Sequence, residues 1–381
     1  MESPRDEHAD TLRLLRESIR RFVEKAVVPK AHAWEEQGFV PREILREMGK
    51  LGFLGLRYAE EFGGGALDAR ATALLAEELG RSTFGGFAIT VLVHTDMASP
   101  HLVNAGSPEQ IKRYLPGVIS GELITAVGVT EPDAGSDVKA IRTSARRDGG
   151  DWLLTGSKMF ITNGALADLC FVAAKTDPAA GSKGISMFIV EKGMKGFSVG
   201  RKLDKMGWRS SDTAELVFDD CRVPAANLLG EENRGFYAIM KNFQNERIAI
   251  AAMTMGEAAR AIELTLEYVR TRKAFGATLW DKQAIRQRLS MLAAKVEAGR
   301  QLVLHAASLD AQGRDCVKEV SMAKAYCAEL LNDVVYDCLQ FHGGFGYMKE
   351  SAIERMYRDA RVQTIGGGAT EVMLEEVAKR L

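Results

Sequence analysis

A chain of 381 residues is too long for one small core and fits two or three packed units. Hydrophobic residues at 46%, charged residues at 27% and only 9 prolines exclude a disordered or fibrous chain. The formal net charge of −1 removes the electrostatic case for nucleic acid or an anionic membrane as partner. An anionic ligand would therefore need local basic groups.

Met1 to Asp10 is polar and acidic, with no apolar stretch behind a basic region, and does not read as a secretory signal. No run approaches the roughly 20 apolar residues that span a bilayer. The five cysteines (Cys170, Cys221, Cys316, Cys327 and Cys338) include no CxxC pair. They read as scattered reduced thiols of a cytoplasmic protein, not as a zinc site or disulfide framework. The six histidines show no metal-ligand spacing, so no metal is expected.

From Thr11 to about Ser120 the periodicity is helical. Leu14, Leu15, Ile19 and Phe22 give one stripe; Ala71, Leu74, Leu75, Glu78 and Leu79 belong to a second helix of the same kind. Glycine-rich breaks at Phe62 to Gly65 and at Gly85-Gly86 separate these helices. From about Glu122 to Leu229 the rhythm shortens to β-prone runs: Trp152 to Leu154, Leu169 to Ala174, Ile185 to Val190 and Glu215 to Phe218. Asp148-Gly149-Gly150, Asn163-Gly164 and Gly181 to Gly184 punctuate them, which predicts an antiparallel β domain. No GxGxxG lies between a strand and a helix, so a dinucleotide-binding Rossmann unit is not indicated.

Long helices return from Gly235. Phe236 to Thr271 contains no Pro and only Gly256, and Ala284 to Ala311 contains neither residue. Each would be on the order of 40–55 Å long. Val317 to Phe341 and Ile353 to Val362 would complete a bundle. The chain thus reads as mainly α with a middle β domain: helical residues 1–121, β residues 122–232 and a four-helix bundle at 233–381.

Four segments carry candidate chemistry. In Val129 to Asp137, VTEPDAGSD, the Gly-Ser pair is either a plain turn or a loop whose amides approach a polar ligand. In Met159 to Gly164, MFITNG, an aromatic and a threonine could stack on a planar cofactor and bond its edge. The same segment also suits a strand entering a type I′ Asn-Gly hairpin. Arg270 to Gly276, RTRKAFG, places basic residues at a helix C-terminus, where the macrodipole favours them with or without phosphate. Gln340 to Tyr347, QFHGGFGY, either ends a helix or admits a ligand closely.

In order and spacing, these segments together resemble the acyl-CoA dehydrogenase family from about Leu12 to Leu381. Val129 to Gly164 is similar to its first signature and flavin-contacting strand; Gln340 to Asp359, with Arg355 and Arg358-Asp359, is similar to its second. The resemblance implies an N-terminal helical domain, a middle β domain and a C-terminal four-helix bundle. It also implies FAD between sheet and bundle, in a homotetramer. On that resemblance Val129 and Thr130 contact the flavin ring, and Ser136 lies near the pyrophosphate and pantetheine. Phe160, where many members have Trp, packs on the ring, and Thr162 bonds near N5. Arg272, Phe275 and Gln283 reach a neighbouring subunit's FAD. Gln340, Gly343 and Gly344 match the adenosine-diphosphate site, and Glu371 is a further FAD-binding position.

The reaction so implied takes a proton from Cα and passes a hydride from Cβ to flavin N5. It needs a carboxylate base and donors for the developing enolate oxygen. Many members carry the base in a Tyr-Glu-Gly-Thr segment, but here the matching stretch reads Gly366-Gly367-Gly368-Ala369 and the Glu position holds Gly367. In the isovaleryl and long-chain branches the carboxylate comes from the first bundle helix, as a Glu-Arg pair. This chain has Phe243-Gln244-Asn245-Glu246-Arg247 there. Ile239, Phe243 and Ile250 place Glu246 on an apolar stripe, where a carboxylate is costly without a task or partner. Partial desolvation would raise its pKa.

On the same resemblance the backbone N–H of Gly367 can keep the oxyanion role, since it does not depend on a side chain. The glycine run also leaves room for a branched or bulky acyl group. Gln244, Arg247, Ser136 and Gly368 match substrate-side positions, and Val93 to Met97 is a candidate cavity floor. The implied partners are an acyl-CoA and electron-transferring flavoprotein, with no nucleic acid or membrane. An oxygen-using oxidase and a noncatalytic FAD-containing binding protein on the same scaffold are the alternatives.

Overall fold

The structure, a computed structural model, describes residues 7–381, with side chains from Asp10 onward. The polar start of the chain before Glu7 lies outside the described residues.

Among the described residues, seven α-helices form the N-terminal part: α1 (Glu7–Phe22), α2 (Ala31–Gln37), α3 (Arg42–Lys50), α4 (Ala69–Gly80), α5 (Gly85–Leu92), α6 (Ser99–Ala105) and α7 (Pro108–Ile119). In α1 the inner stripe is Leu12, Leu15, Ile19 and Phe22, whereas Leu14 is 57% exposed. The spacing predicted for Leu14 is therefore off by one face. Helix α4 is enclosed on all sides after its first turn because it packs against α1, α8 (Gly235–Thr271) and α9 (Gln283–Ala311). Its two buried acids, Glu77 and Glu78, are paired with Arg16, Arg20 and Arg300 from the surrounding helices.

The crossing of α4 and α8 is close because two glycines meet there. A Cβ on Gly256 would lie 1.9 Å from the Glu77 carbonyl oxygen, and one on Gly80 would lie 2.3 Å from that of Met253. The single glycine inside α8 is thus a packing requirement of the helix pair.

The middle part is one sheet of β1 (Thr125–Gly128), β2 (Ser144–Asp148), β3 (Asp151–Thr162), β4 (Leu169–Lys175), β5 (Ile185–Glu191), β6 (Phe197–Lys202), β7 (Thr213–Pro224) and β8 (Leu228–Leu229). Its order is β6-β7-β3-β2-β4-β5-β8, with β1 also paired to β4. The expectation of an antiparallel sheet needs correction: β1 and β2 both run parallel to β4. Asn163-Gly164 is no type I′ hairpin either, because Gly164 does not take the positive φ that such a turn needs and β3 does not pair with β4. Instead the Asn163 amide is buried and donates to the carbonyls of Thr90 and Thr125, fixing the sheet to α5.

The C-terminal part holds α8, a short hairpin of β9 (Lys273–Ala274) and β10 (Ala277–Thr278), then α9 and α10 (Val317–Gly346). The fourth long helix expected at Ile353 to Val362 stops after nine residues as α11 (Ala352–Ala360), and α12 (Thr370–Ala378) follows. Both pack on α10. Asp359 joins the three parts: it accepts the Trp208 N–H at 2.6 Å and the Gly85 N–H at 3.1 Å. No helix among the described residues is long and apolar enough to cross a membrane.

Candidate active site

The site begins on α8. Phe243, Arg247 and Ile250 share one side of this helix, and Glu246 sits beside them. The Glu246 residue keeps some solvent contact, but its carboxylate is densely surrounded by protein and has no hydrogen-bond partner among the described residues. Burial pushes it up to about 7, against the opposing pull of Arg247 and Lys324. Arg247 is buried, its guanidinium lies 5.2 Å from the Phe243 ring, and its Nε has no hydrogen-bond partner among the described residues. Burial lowers the Arg247 pKa, with Glu246 and Glu376 working the other way.

Opposite Glu246 runs the turn between α11 and α12. Gly367 and Gly368 have φ of 63° and 101°, which a side chain would strain. A Cβ built on Gly367 would lie 3.8 Å from Glu246 Oε1, and one on Gly368 would lie 3.8 Å from Arg247 Nε. Lys324 of α10 donates from Nζ to the Gly368 carbonyl. Glu246, Arg247, Gly367 and Gly368 are therefore brought together. Glu371, exposed in the first turn of α12, is near enough to act on Lys324 electrostatically.

Gln244 does not join them. At about 100° per residue, it points roughly 200° away from Glu246. It accepts the Cys316 thiol at 3.4 Å and lines a cleft of about 520 Å³ with Arg57, Asp96, Asn245 and Arg314. Thr95 and Asp96 of the candidate cavity floor line the same cleft, so Gln244 faces it from the other side of α8.

The sheet supplies the second wall. The turn Val93–Ala98 packs against both β1 and α8, and its residues are all buried. Val129 and Thr130 follow β1 directly, half-buried, and the Thr130 carbonyl accepts the Met159 N–H at 2.9 Å. Between Lys158 and Ile161 strand β3 has one residue more than β7, a bulge. Within it Phe160 takes φ 60° and is 66% exposed. An aromatic held outward in a strained conformation suits a ligand face better than a core. Thr162 is half-buried at the end of β3, and Ser136 is exposed in the following loop of the first motif.

Beneath this surface, Lys158 is fully buried and bonds Glu131 at 2.7 Å and the Val129 carbonyl at 3.1 Å. Sequence reasoning missed Lys158, Glu131 and Lys324 as parts of the site. The one signal for Lys324 was a lone lysine among the small and apolar residues Val320 to Ala328.

The remaining candidates lie elsewhere. Phe275, 96% exposed with φ 53°, forms with Gly276 the tip of the β9–β10 hairpin. Arg272 and Gln283 flank it, both exposed. Gly343, with φ 58°, kinks α10, and Gln340, Gly343 and Gly344 are exposed around it. Tyr268 stacks on His342 with ring centroids 4.5 Å apart, so both groups share one end of the bundle. That end is about 35–40 Å of helix from Glu246. No group of three or more His, Cys, Asp or Glu that could hold a metal occurs among the described residues.

Helix, sheet and bundle with a carboxylate facing a glycine turn define a class, and comparison with known proteins identifies it. The N-terminal, middle and C-terminal domains of acyl-CoA dehydrogenase match residues 9–122, 126–221 and 233–381. The chain belongs to the acyl-CoA dehydrogenase family. It is 44% identical to the long-chain specific acyl-CoA dehydrogenase of Sus scrofa, over 97% of this chain and 86% of that one. It is 38% identical to the caffeyl-CoA reductase–Etf complex subunit CarC of Acetobacterium woodii, covering 94% and 95% respectively. The crystal structure of an acyl-CoA dehydrogenase from Geobacillus kaustophilus superposes with a TM-score of 0.93 at 39% identity, covering 100% of this chain and 99% of that one.

The protein is accordingly an FAD-dependent oxidoreductase acting on the CH–CH bond of an acyl-CoA. The residues present fit that cofactor: an exposed, strained aromatic and a half-buried threonine stand together on the sheet wall.

Proposed function

We propose that Glu246 is the base that removes the α-proton of an acyl-CoA, giving the trans-2-enoyl-CoA. The observation that carries this reading is the pairing of Glu246 with Gly367, whose built Cβ would lie 3.8 Å from the carboxylate. A carboxylate on either backbone position would reach the same region, so moving it from the turn to α8 preserves the chemistry.

In this reading the Gly367 N–H holds the thioester carbonyl and stabilises the charge that develops there. Glu246 takes the proton, and its raised pKa makes it a stronger base than an ordinary carboxylate. FAD, when bound, supplies the acceptor for the hydride that leaves Cβ. Val129, Thr130, Phe160 and Thr162 line the flavin ring, with Ser136 at the pyrophosphate and pantetheine. Arg247 and Gly368, with Gln244 at the cleft on the other face of α8, lie on the substrate side. Gln340, Gly343 and Gly344 share the far bundle end with Arg272, Phe275 and Gln283. We assign that end to the adenosine-diphosphate half of a neighbour's FAD, in a homotetramer, and Glu371 to the near cofactor group.

The glycine turn supports a branched or medium-to-long acyl group, because no side chain at 366–368 crowds the base. The likeness to a subunit named for an Etf complex supports electron-transferring flavoprotein as acceptor. The boundaries 1–121, 122–232 and 233–381 and a cytoplasmic location belong to the same reading; the five cysteines are all free.

The test is anaerobic titration of wild type and Glu246→Gln with a panel of acyl-CoAs, following flavin absorbance. Wild type is reduced and the variant is not; equal reduction of both would sink the assignment. Oxygen uptake without another acceptor would point to an oxidase.

A further inference from the structure

We propose that Lys324 is a positioning residue for this reaction, clamping the Gly366–Gly368 turn through the Gly368 carbonyl and thereby aiming the Gly367 N–H beside Glu246. This rests on the reading of Glu246 as the base.

Lys324 lies on α10 with 0% exposure. Its ammonium carries three donors, yet its hydrogen bond among the described residues is to Gly368. A buried ammonium with so little compensation is expensive, and an apolar side chain of similar volume would be easier to accommodate. Burial pulls its pKa down to about 8, so the site tolerates the charge at a cost. The turn it holds has two consecutive residues at positive φ and no side chains of its own to anchor it. Glycine backbone left free samples many directions, and an oxyanion donor is useful only when pre-aimed.

The charge has a second effect. The charged groups acting on Glu246 are Arg247 on its own helix and Lys324 across from it, both favouring the carboxylate. Glu329 from α10 and Glu371 from α12 act on Lys324, and Glu376 and Arg380 from α12 act on Arg247. Removing Lys324 leaves Arg247 as the one remaining cation acting on the base.

The test uses FAD-loaded Lys324→Met and Lys324→Gln, with single-turnover flavin reduction measured against pH. Lys324→Met loses both clamp and charge: its plateau rate falls about 10- to 100-fold with KM little changed, and its acid limb moves to higher pH. Lys324→Gln keeps a donor for the Gly368 carbonyl, so it recovers most of the plateau while its acid limb stays displaced. A purely structural role would lower thermal stability and leave the limb in place, which overturns the proposal. So would failure of both variants to fold with FAD. Glu246→Gln run alongside separates the two ideas: if it reacts as wild type, the base assignment fails whatever Lys324 does.

Discussion

A methyl group added to Gly367 would lie 3.8 Å from Oε1 of Glu246 and 2.2 Å from Cδ1 of Ile250. The carboxylate on α8 and the empty Cα of the turn therefore address one point in space. Replacing Glu246 by Gln keeps the shape and removes the proposed base. The expected outcome is loss of acyl-CoA-driven flavin reduction by at least about 100-fold, with acyl-CoA binding retained. Stopped-flow absorbance and equilibrium binding measured on the same variant check both halves.

The same substitution bears on stability. Burial raises Glu246 from 4.5 to about 7, so the folded state holds this proton more tightly than the unfolded chain. Stability from this group is greatest below the unfolded value and is lost as pH rises toward 7. Glu246→Gln is therefore expected to be more stable than wild type above pH 7, by on the order of 2–3 kcal/mol. The difference should shrink on acidification to about pH 5. Urea unfolding at a series of pH values reads it directly.

Catalysis runs the opposite way with pH. A base must be ionised, so the rate of flavin reduction is expected to rise through an apparent value near 7 and level off above it. An acid limb near 4.5 would show that Glu246 is solvated as the reaction begins, contrary to its enclosure here.

The three long bundle helices were legible because stretches of 25 to 36 residues nearly free of Gly and Pro leave few alternatives. The parallel placing of β1 against β4 was not legible: it depends on partners 44 residues apart, such as Thr125 and Leu169, and no local period encodes that. Phe160 was readable as a cofactor-facing aromatic only through resemblance, since its exposure comes from a bulge set by β7. Glu246 was readable through the resemblance to branches with a Glu-Arg pair on the first bundle helix, and the apolar stripe beside it added support because those neighbours are close in sequence. Lys324 was not, because its partner Gly368 is 44 residues away. Side chains that act across elements have no local signature.

Gly367→Ala tests the space beside the base. A side chain at φ 63° costs about 1–2 kcal/mol, and contact with the end of Ile250 adds to it. The variant is expected to melt several degrees lower, and adding Ile250→Val should return part of the loss. If the turn gives room to a branched acyl group, kcat/KM for branched substrates falls further than for straight ones. An equal loss on both would remove the link between the glycine run and acyl shape.

The Lys158–Glu131 pair makes the sharpest prediction on the proposed flavin wall. The two side chains are 0% and 6% exposed and 2.7 Å apart, beneath Val129 and the Phe160 bulge. Burial opposes both charges. It brings Lys158 down to about 8, while for Glu131 the lysine and the N–H groups of Arg142 and Thr143 outweigh it and hold the carboxyl low. Glu131→Gln leaves a buried ammonium without its counter-charge, which costs about 3–5 kcal/mol. Lys158→Met in that background removes the stranded charge, so the double variant should be more stable than Glu131→Gln alone. Because Lys158 also holds the Val129 carbonyl at 3.1 Å, FAD retention through gel filtration should fall in every variant lacking the lysine, even where stability recovers. Recovery of both together would make the pair a fold element with no bearing on the cofactor.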